Sequence, residues 1–229
     1  MQERPIARIL YLLVALSAGS GLVIAFLIAA LDAHPPPLPP IEPTLFGIGT
    51  PGWDGAPGRL ADLASYFTEW SNIIVCVVFL LLAIRPHHRG TVFRVLLIDA
   101  LLMILITGVV YLTVIAPNTP PRDGWNLASS IFQHYLTPLL TLLAWAIVGP
   151  RGWFSWRLIP LVLIIPLSWA AFTLIRGVII HVYPYAFVDV PTLGYPMVIL
   201  NIIGITMLGV VIYAGLLGID RFAPRWTPA

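Results

Sequence analysis

The most regular feature of the sequence is a series of long apolar stretches separated by short segments rich in Pro, Gly and Arg. The stretches lie at about 6–31, 62–84, 92–116, 125–148, 158–181 and 194–219. A helix of about 20 apolar residues crosses the hydrocarbon core of a bilayer, so each stretch is long enough for one crossing. The pattern predicts an all-α integral membrane protein with six transmembrane helices in one bundle.

The first stretch and the segment after it need separate interpretation. The stretch follows Arg4 and Arg8. It is longer than the h-region of a signal peptide, which has about 7–15 residues, so we expect a retained helix. The next segment, 32–61, contains HPPPLPP and GTPGWDGAPG, whose prolines and glycines oppose a long helix or a central strand. We expect an outer loop that is partly ordered over the mouth of the bundle.

Composition supports the membrane assignment and limits the number of domains. Of the 229 residues, 59% are hydrophobic and 10% are charged, which lies outside the range of soluble domains. The connections are too short for a soluble domain of ordinary size, so we expect residues 1–229 to form a single transmembrane domain. The net charge of +2 does not indicate nucleic-acid binding, because the positions of the arginines have another explanation.

The arginines predict how the bundle is oriented. One side collects Arg4, Arg8, Arg85, Arg89, Arg94, Arg151, Arg157, Arg221 and Arg225. The other side has only Arg59, Arg122 and Arg176. By the positive-inside rule, both termini are cytoplasmic. The use of Arg without Lys, together with many Ala, Leu, Gly and Pro, suggests a GC-rich genome and therefore a bacterial cytoplasmic membrane. No feature of the sequence specifies an oligomeric state.

Two polar residues interrupt the apolar pattern where a lipid-facing helix would carry leucine. Thr68 lies about 9 Å below the predicted outer end of helix two, and His134 lies about 13 Å below that of helix four. Polar groups at such depths are costly unless they face the bundle interior and find partners. The two depths are compatible, so we expect Thr68 and His134 to belong to one polar layer in the outer half of the membrane.

Other helices contribute polar residues to the same layer. Asn72 follows Thr68 by one turn, and Tyr111 and Arg176 lie near the outer ends of helices three and five. Helix four carries a polar stripe at spacings of four, four, three and four, formed by Asn126, Ser130, His134, Thr137 and Thr141. Residues at these spacings share one helical face, so we expect this face to point into the bundle.

A hydroxyl beside an imidazole is the minimum for nucleophilic acyl transfer. A neutral His134 would take the proton of Thr68, and the resulting imidazolium would later protonate the leaving group. Asn72 or a helix-end amide would stabilise the oxyanion, and Arg176 would hold a substrate carboxylate. No G-x-S-x-G motif is present, which excludes an α/β-hydrolase.

Simpler interpretations remain open for each of these residues. Thr68 would bond back to its own helix, His134 would make an interhelical hydrogen bond, and Arg176 would extend its guanidinium to the interface. The polar layer would then belong to a non-catalytic scaffold. A small-solute or ion carrier is a further alternative, in which charge is bound or relayed by Glu69, Asp99, Arg176 and Asp189.

Metal and haem sites are not expected. Cys76 is the one cysteine and lies within an apolar stretch, as a small buried hydrophobe would. The remaining histidines apart from His134 lie at helix ends or in loops, at His34, His87, His88 and His181. A haem with two histidine ligands would need a second deep histidine, so we expect no cofactor.

Five short stretches resemble a known family. YFTEWSNIIV and QHYLTPLL are similar to the androgen-induced protein 1 and ADTRP family. WAAFTLIRG, YPYAFVDV and LGYPMVILN extend the likeness to bacterial six-helix relatives over roughly residues 60–215. The resemblance implies a transmembrane threonine hydrolase that cleaves fatty acid esters of hydroxy fatty acids. It places the nucleophile at Thr68 and its histidine partner at His134.

The stretch shared with the bacterial relatives contains further polar residues at the outer mouth. Arg176, Tyr183, Tyr185 and Asp189 are positioned for a polar lid or a carboxylate anchor, and interfacial tyrosines of an aromatic belt are the alternative. Glu69 and Asp189 are both candidates to orient His134. Our hypothesis from the sequence is a membrane hydrolase of lipid esters with Thr68 and His134 as catalytic residues and Asn72, Tyr111, Arg176, Tyr183 and Asp189 around the substrate.

Overall fold

The computed structural model describes residues 5–33, 45, 50–86, 88 and 90–222. The described chain is helical without strands, and six of its helices are long and apolar enough to cross a membrane, which confirms the predicted fold class. The six spans, numbered in chain order, are Pro5–Ala30, Phe67–Ile84, Thr91–Asn118, Gly124–Val148, Trp156–Ile180 and Val190–Phe222. The HPPPLPP stretch, His34, His87, Arg4, Arg89 and Arg225 lie outside the described residues.

The third span forms the centre of the bundle. Within its most apolar window 72% of the residues are buried, against 28% in the fifth span and 22% in the sixth. The first span packs on the second and fourth, where the hydroxyls of Ser17 and Thr137 lie 2.8 Å apart. Apolar side chains on the outside of spans five and six therefore face the region that lipid would fill, while the polar side chains of the bundle point inward.

The second predicted helix is divided in two. A short helix, Ala56–Leu63, occupies the end of the predicted outer loop, and the membrane span begins only at Phe67. Tyr66 between them is extended, with φ −81° and ψ 132°, and the indole of Trp169 donates a hydrogen bond to Ser65 O at 2.9 Å. The predicted depth of Thr68 is therefore wrong, because Thr68 lies in the first turn of its span.

Arg59 fixes the segment that precedes this break. Its buried guanidinium donates hydrogen bonds to backbone oxygens of Ala29, Ala30, Thr50 and Gly52. Asp32 lies 3.6 Å from the same group. Arg59 satisfies carbonyls at the carboxyl end of the first span, which no later helical turn reaches.

Two π-helical turns interrupt the spans around the predicted polar layer. They occupy Tyr111–Ile115 in the third span and Ile131–Leu136 in the fourth. Pro138 explains the π-helical turn of the fourth span. A proline has no N–H to donate to the carbonyl of His134, four residues earlier, and its ring crowds that carbonyl. A wider turn relieves this crowding. π-helical turns inside α-helices frequently occur at functional sites.

Candidate functional site

The structure brings Thr68 and His134 together. Thr68 Oγ1 lies 3.3 Å from His134 Nε2, and both residues are 6% exposed. Thr68 comes from the first turn of the second span, and His134 comes from the π-helical turn of the fourth. A hydroxyl at this distance from an imidazole nitrogen can give up its proton to that nitrogen, and catalytic pairs often show such a separation before substrate binds.

Ser130 and Tyr111 hold the imidazole of His134. The Nδ1 atom lies 3.2 Å from Ser130 O, which can only accept a hydrogen bond, so Nδ1 carries the hydrogen and Nε2 is free to accept. The Tyr111 ring stacks on the imidazole with centroids 3.9 Å apart and planes inclined by 19°. Ser130 Oγ donates to the Tyr111 hydroxyl at 2.8 Å. The histidine therefore faces Thr68 with its unprotonated nitrogen.

Neither acidic candidate contacts His134. Glu69 instead accepts two hydrogen bonds from Gln133 Nε2, at 3.1 and 3.2 Å. Asp189 accepts the backbone N–H of Thr192 at 3.3 Å and also the Thr192 hydroxyl, as a residue at the start of a helix does. The carbonyl and hydroxyl of Ser130, rather than either candidate carboxylate, lie beside His134 Nδ1.

Tyr185 is the other polar residue that contacts the side-chain hydroxyl of Thr68. Its hydroxyl lies 3.3 Å from Thr68 Oγ1 and accepts the backbone N–H of Thr68 at 3.4 Å. Burial raises the pKa of Tyr185 to about 12, so its hydroxyl keeps its proton at any physiological pH. The sequence predicted Tyr185 at the outer mouth but not its contact with Thr68.

Thr68 and Tyr185 both line an apolar cavity. It contains about 750 Å³ of space free of protein atoms, including the part continuous with the outside. Besides Phe67 and Thr68, its wall is formed by Leu102, Ile106, Thr107, Val110, Ile115, Leu163, Pro166, Leu167, Trp169, Ala170, Tyr185, Phe187, Val188, Ile202, Ile205, Thr206 and Gly209. Along the third span the wall extends over roughly 20 Å, from Leu102 to Ile115. The wall contains hydroxyls but no charged side chain.

Three predicted substrate-binding residues have other contacts. The Nδ2 atom of Asn72 donates to Thr68 O at 2.9 Å. Arg176 Nη2 lies 2.5 Å from Asp62 Oδ1. Tyr183 is buried with its ring against Gly177, where an added Cβ would lie 2.0 Å from the ring. None of the three lines the cavity, and neither does Asp189.

The residues of the carrier alternative do not form one path. Glu69 is bonded to Gln133, Arg176 to Asp62 and Asp189 to Thr192. Asp99 is fully buried in the third span, and its carboxylate oxygens have no hydrogen-bond partner. Within the described ranges, no group of three or more His, Cys, Asp or Glu side chains is placed to hold a metal ion.

No protein-family model, curated protein sequence or solved structure matches this chain.

Proposed function

We propose that this protein is an intramembrane hydrolase of lipid esters, with Thr68 as nucleophile and His134 as general base and acid. The observation that carries the proposal is the 3.3 Å approach of Thr68 Oγ1 to His134 Nε2 beside an apolar cavity. A scaffold that needed only an interhelical hydrogen bond would not require an apolar cavity beside that bond.

The reaction begins at the contact between Thr68 Oγ1 and His134 Nε2. Thr68 Oγ1 bonds to the ester carbonyl carbon as its proton passes to His134 Nε2, and the carbonyl electron pair moves to oxygen. The tetrahedral intermediate collapses, the ester C–O bond breaks, and the imidazolium protonates the leaving alkoxide. Water activated by His134 then releases the fatty acid and restores the threonine hydroxyl.

The wall of the cavity supports an acyl chain as the bound group. Its apolar side chains come from spans two, three, five and six, so one long tail would contact four helices at once. Relative to water, burying each methylene of such a tail gains about 0.8 kcal/mol. Because no charged side chain lines the cavity, the part of the substrate within it is uncharged.

Two further elements of the proposal come from the sequence. The likeness of YFTEWSNIIV and QHYLTPLL to the androgen-induced protein 1 and ADTRP family favours fatty acid esters of hydroxy fatty acids as substrates. The use of Arg without Lys, together with many Ala, Leu, Gly and Pro, favours a bacterial cytoplasmic membrane. The distribution of the arginines favours a reaction in the outer half of that membrane.

The test is hydrolysis of a long-chain fatty ester by purified protein in detergent or lipid nanodiscs. Thr68→Ala and His134→Ala should each lower kcat by at least about 10²-fold, the lower end of what general-base catalysis contributes. Thr141→Ala is the matched control, because Thr141 is fully buried and its hydroxyl has no hydrogen-bond partner. Full activity of folded Thr68→Ala protein would eliminate the proposal.

The same variants separate the two alternatives. A carrier would take up solute into proteoliposomes in a way that depends on Arg176 or Asp189 and is unaffected by Thr68→Ala. A scaffold would show no hydrolysis, and His134→Ala would lower its melting temperature because the interhelical bond is lost.

A further inference from the structure

The hydroxyl of Tyr185 occupies a position that the proposed hydrolysis leaves unassigned. Thr68 Oγ1 has two polar neighbours from outside its own helix, His134 Nε2 and the Tyr185 hydroxyl, each at 3.3 Å. Since His134 accepts the proton of Thr68, the hydroxyl hydrogen of Tyr185 can be donated to Thr68 Oγ1. Tyr185 also lines the cavity, whereas His134 does not.

We propose that Tyr185 is the oxyanion donor of this site, a catalytic residue whose O–H stabilises the negative charge that develops on the ester carbonyl oxygen. This inference rests on the proposed function. Once Thr68 Oγ1 bonds to the carbonyl carbon, the former carbonyl oxygen lies next to Oγ1 on the cavity side. The Tyr185 hydroxyl transfers its hydrogen bond from Oγ1 to this oxygen and keeps its own proton.

The backbone of Thr68 completes the arrangement. Thr68 is the second residue of an 18-residue helix, so its N–H has no partner within that helix. In the structure this N–H donates to the Tyr185 hydroxyl at 3.4 Å. The N–H polarises the phenol by donating to its oxygen, and the positive end of the helix faces the same position.

The surroundings of Tyr185 hold its ring rigidly. It stacks on Phe187 with centroids 5.0 Å apart and planes inclined by 8°, and it meets Tyr66 edge-on at 5.4 Å. Trp169 packs on it at 6.0 Å. A donor fixed before the reaction requires little reorganisation when charge develops, which is the property expected of an oxyanion site. The pKa of about 12 keeps the phenol in its donating form.

Tyr185→Phe tests the assignment, since it removes one oxygen and keeps the ring. It should lower kcat by about 10²–10³-fold with KM little changed, which is the effect of deleting one oxyanion donor. Affinity for a long-chain trifluoromethyl ketone, which forms a hemiketal oxyanion with a hydroxyl nucleophile, should fall by a similar factor. Affinity for the corresponding non-hydrolysable ether should stay the same, because the ether forms no oxyanion. Unchanged ether binding would also show that the substitution leaves the cavity intact.

Tyr195→Phe is the control, because Tyr195 is exposed on the sixth span away from the cavity. The assignment of Tyr185 would be overturned if Tyr185→Phe were as active as Tyr195→Phe. If Thr68→Ala were inactive in the same experiment, the proposed function would still stand. Equal weakening of the ketone and the ether would also overturn it, because a packing role affects both. Hydrolysis by Thr68→Ala would instead remove the proposed function itself.

Discussion

Gly21 controls how closely the first span approaches the helix that carries His134. A Cβ added at Gly21 would lie 2.6 Å from Gln133 Cγ and 3.1 Å from Phe132 Cβ. The first distance is about 0.8 Å below the 3.4 Å at which ordinary contact begins. Gln133 cannot turn away freely, because its amide is bonded to Glu69. We therefore expect Gly21→Ala to displace the π-helical turn relative to the first span.

The size of the effect follows from this overlap. Overpacking of this kind costs about 1–3 kcal/mol. For a chain of this length that corresponds to a fall in melting temperature of roughly 2–12 °C. A displacement approaching 1 Å at a reacting group can cost up to about 10²-fold in rate, so ester hydrolysis should fall as well.

The assay compares Gly21→Ala with Gly19→Ala by tryptophan fluorescence during heating and by hydrolysis of a fluorogenic long-chain ester. Gly19 is two residues away on the same helix, and its added Cβ would make an ordinary contact of 3.5 Å with Cys76 Sγ. Both variants gain the same helix propensity, so their difference isolates the overlap at Gln133. If Gly21→Ala matches Gly19→Ala in melting temperature and rate, the packing account of this helix pair is refuted.

Two further predictions concern Arg176 and Arg59. Arg176→Met should lower the free energy of unfolding by about 2 kcal/mol, because it leaves Asp62 without its charged partner. The KM for esters with a free carboxylate and for esters without one should stay the same. A selective rise in KM for the carboxylate-bearing ester would restore Arg176 as a substrate anchor. Arg59→Met should cost at least about 1–3 kcal/mol, the penalty for one buried acceptor left unpaired, and should speed proteolysis before Ala56, because four backbone carbonyls lose their donor. An equally stable Arg59→Met protein would contradict that assignment.

Hydropathy was sufficient to predict the six crossings because a bilayer requires every backbone polar group of a span to be satisfied within its helix. The break at Ser65 and Tyr66 was not predictable in the same way. Those residues are compatible with a helix, and the turn is stabilised by the indole of Trp169, which is remote in sequence. The predicted depth of Thr68 was wrong for this reason, although its contact with His134 was predicted.

The sequence predicted which residues form the polar layer better than it predicted which of them contact each other. Depth and helical spacing placed Thr68 and His134 together without fixing rotation about each helix axis. Arg176 and Asp62 were both expected on the outer side, and their ion pair is a tertiary contact that spacing does not encode. Gly177 was the available signal for Tyr183, because the absence of a side chain there leaves room for the tyrosine ring.

In the proposed mechanism, Thr68 forms a covalent bond to substrate through the action of His134. The most direct measurement is mass spectrometry of the protein after treatment with a long-chain fluorophosphonate, which traps an activated hydroxyl. We predict one adduct per chain, mapped to Thr68 and lost in His134→Ala. An adduct on Ser65 or Ser71, or labelling of Thr68→Ala to the same extent, would contradict the claim.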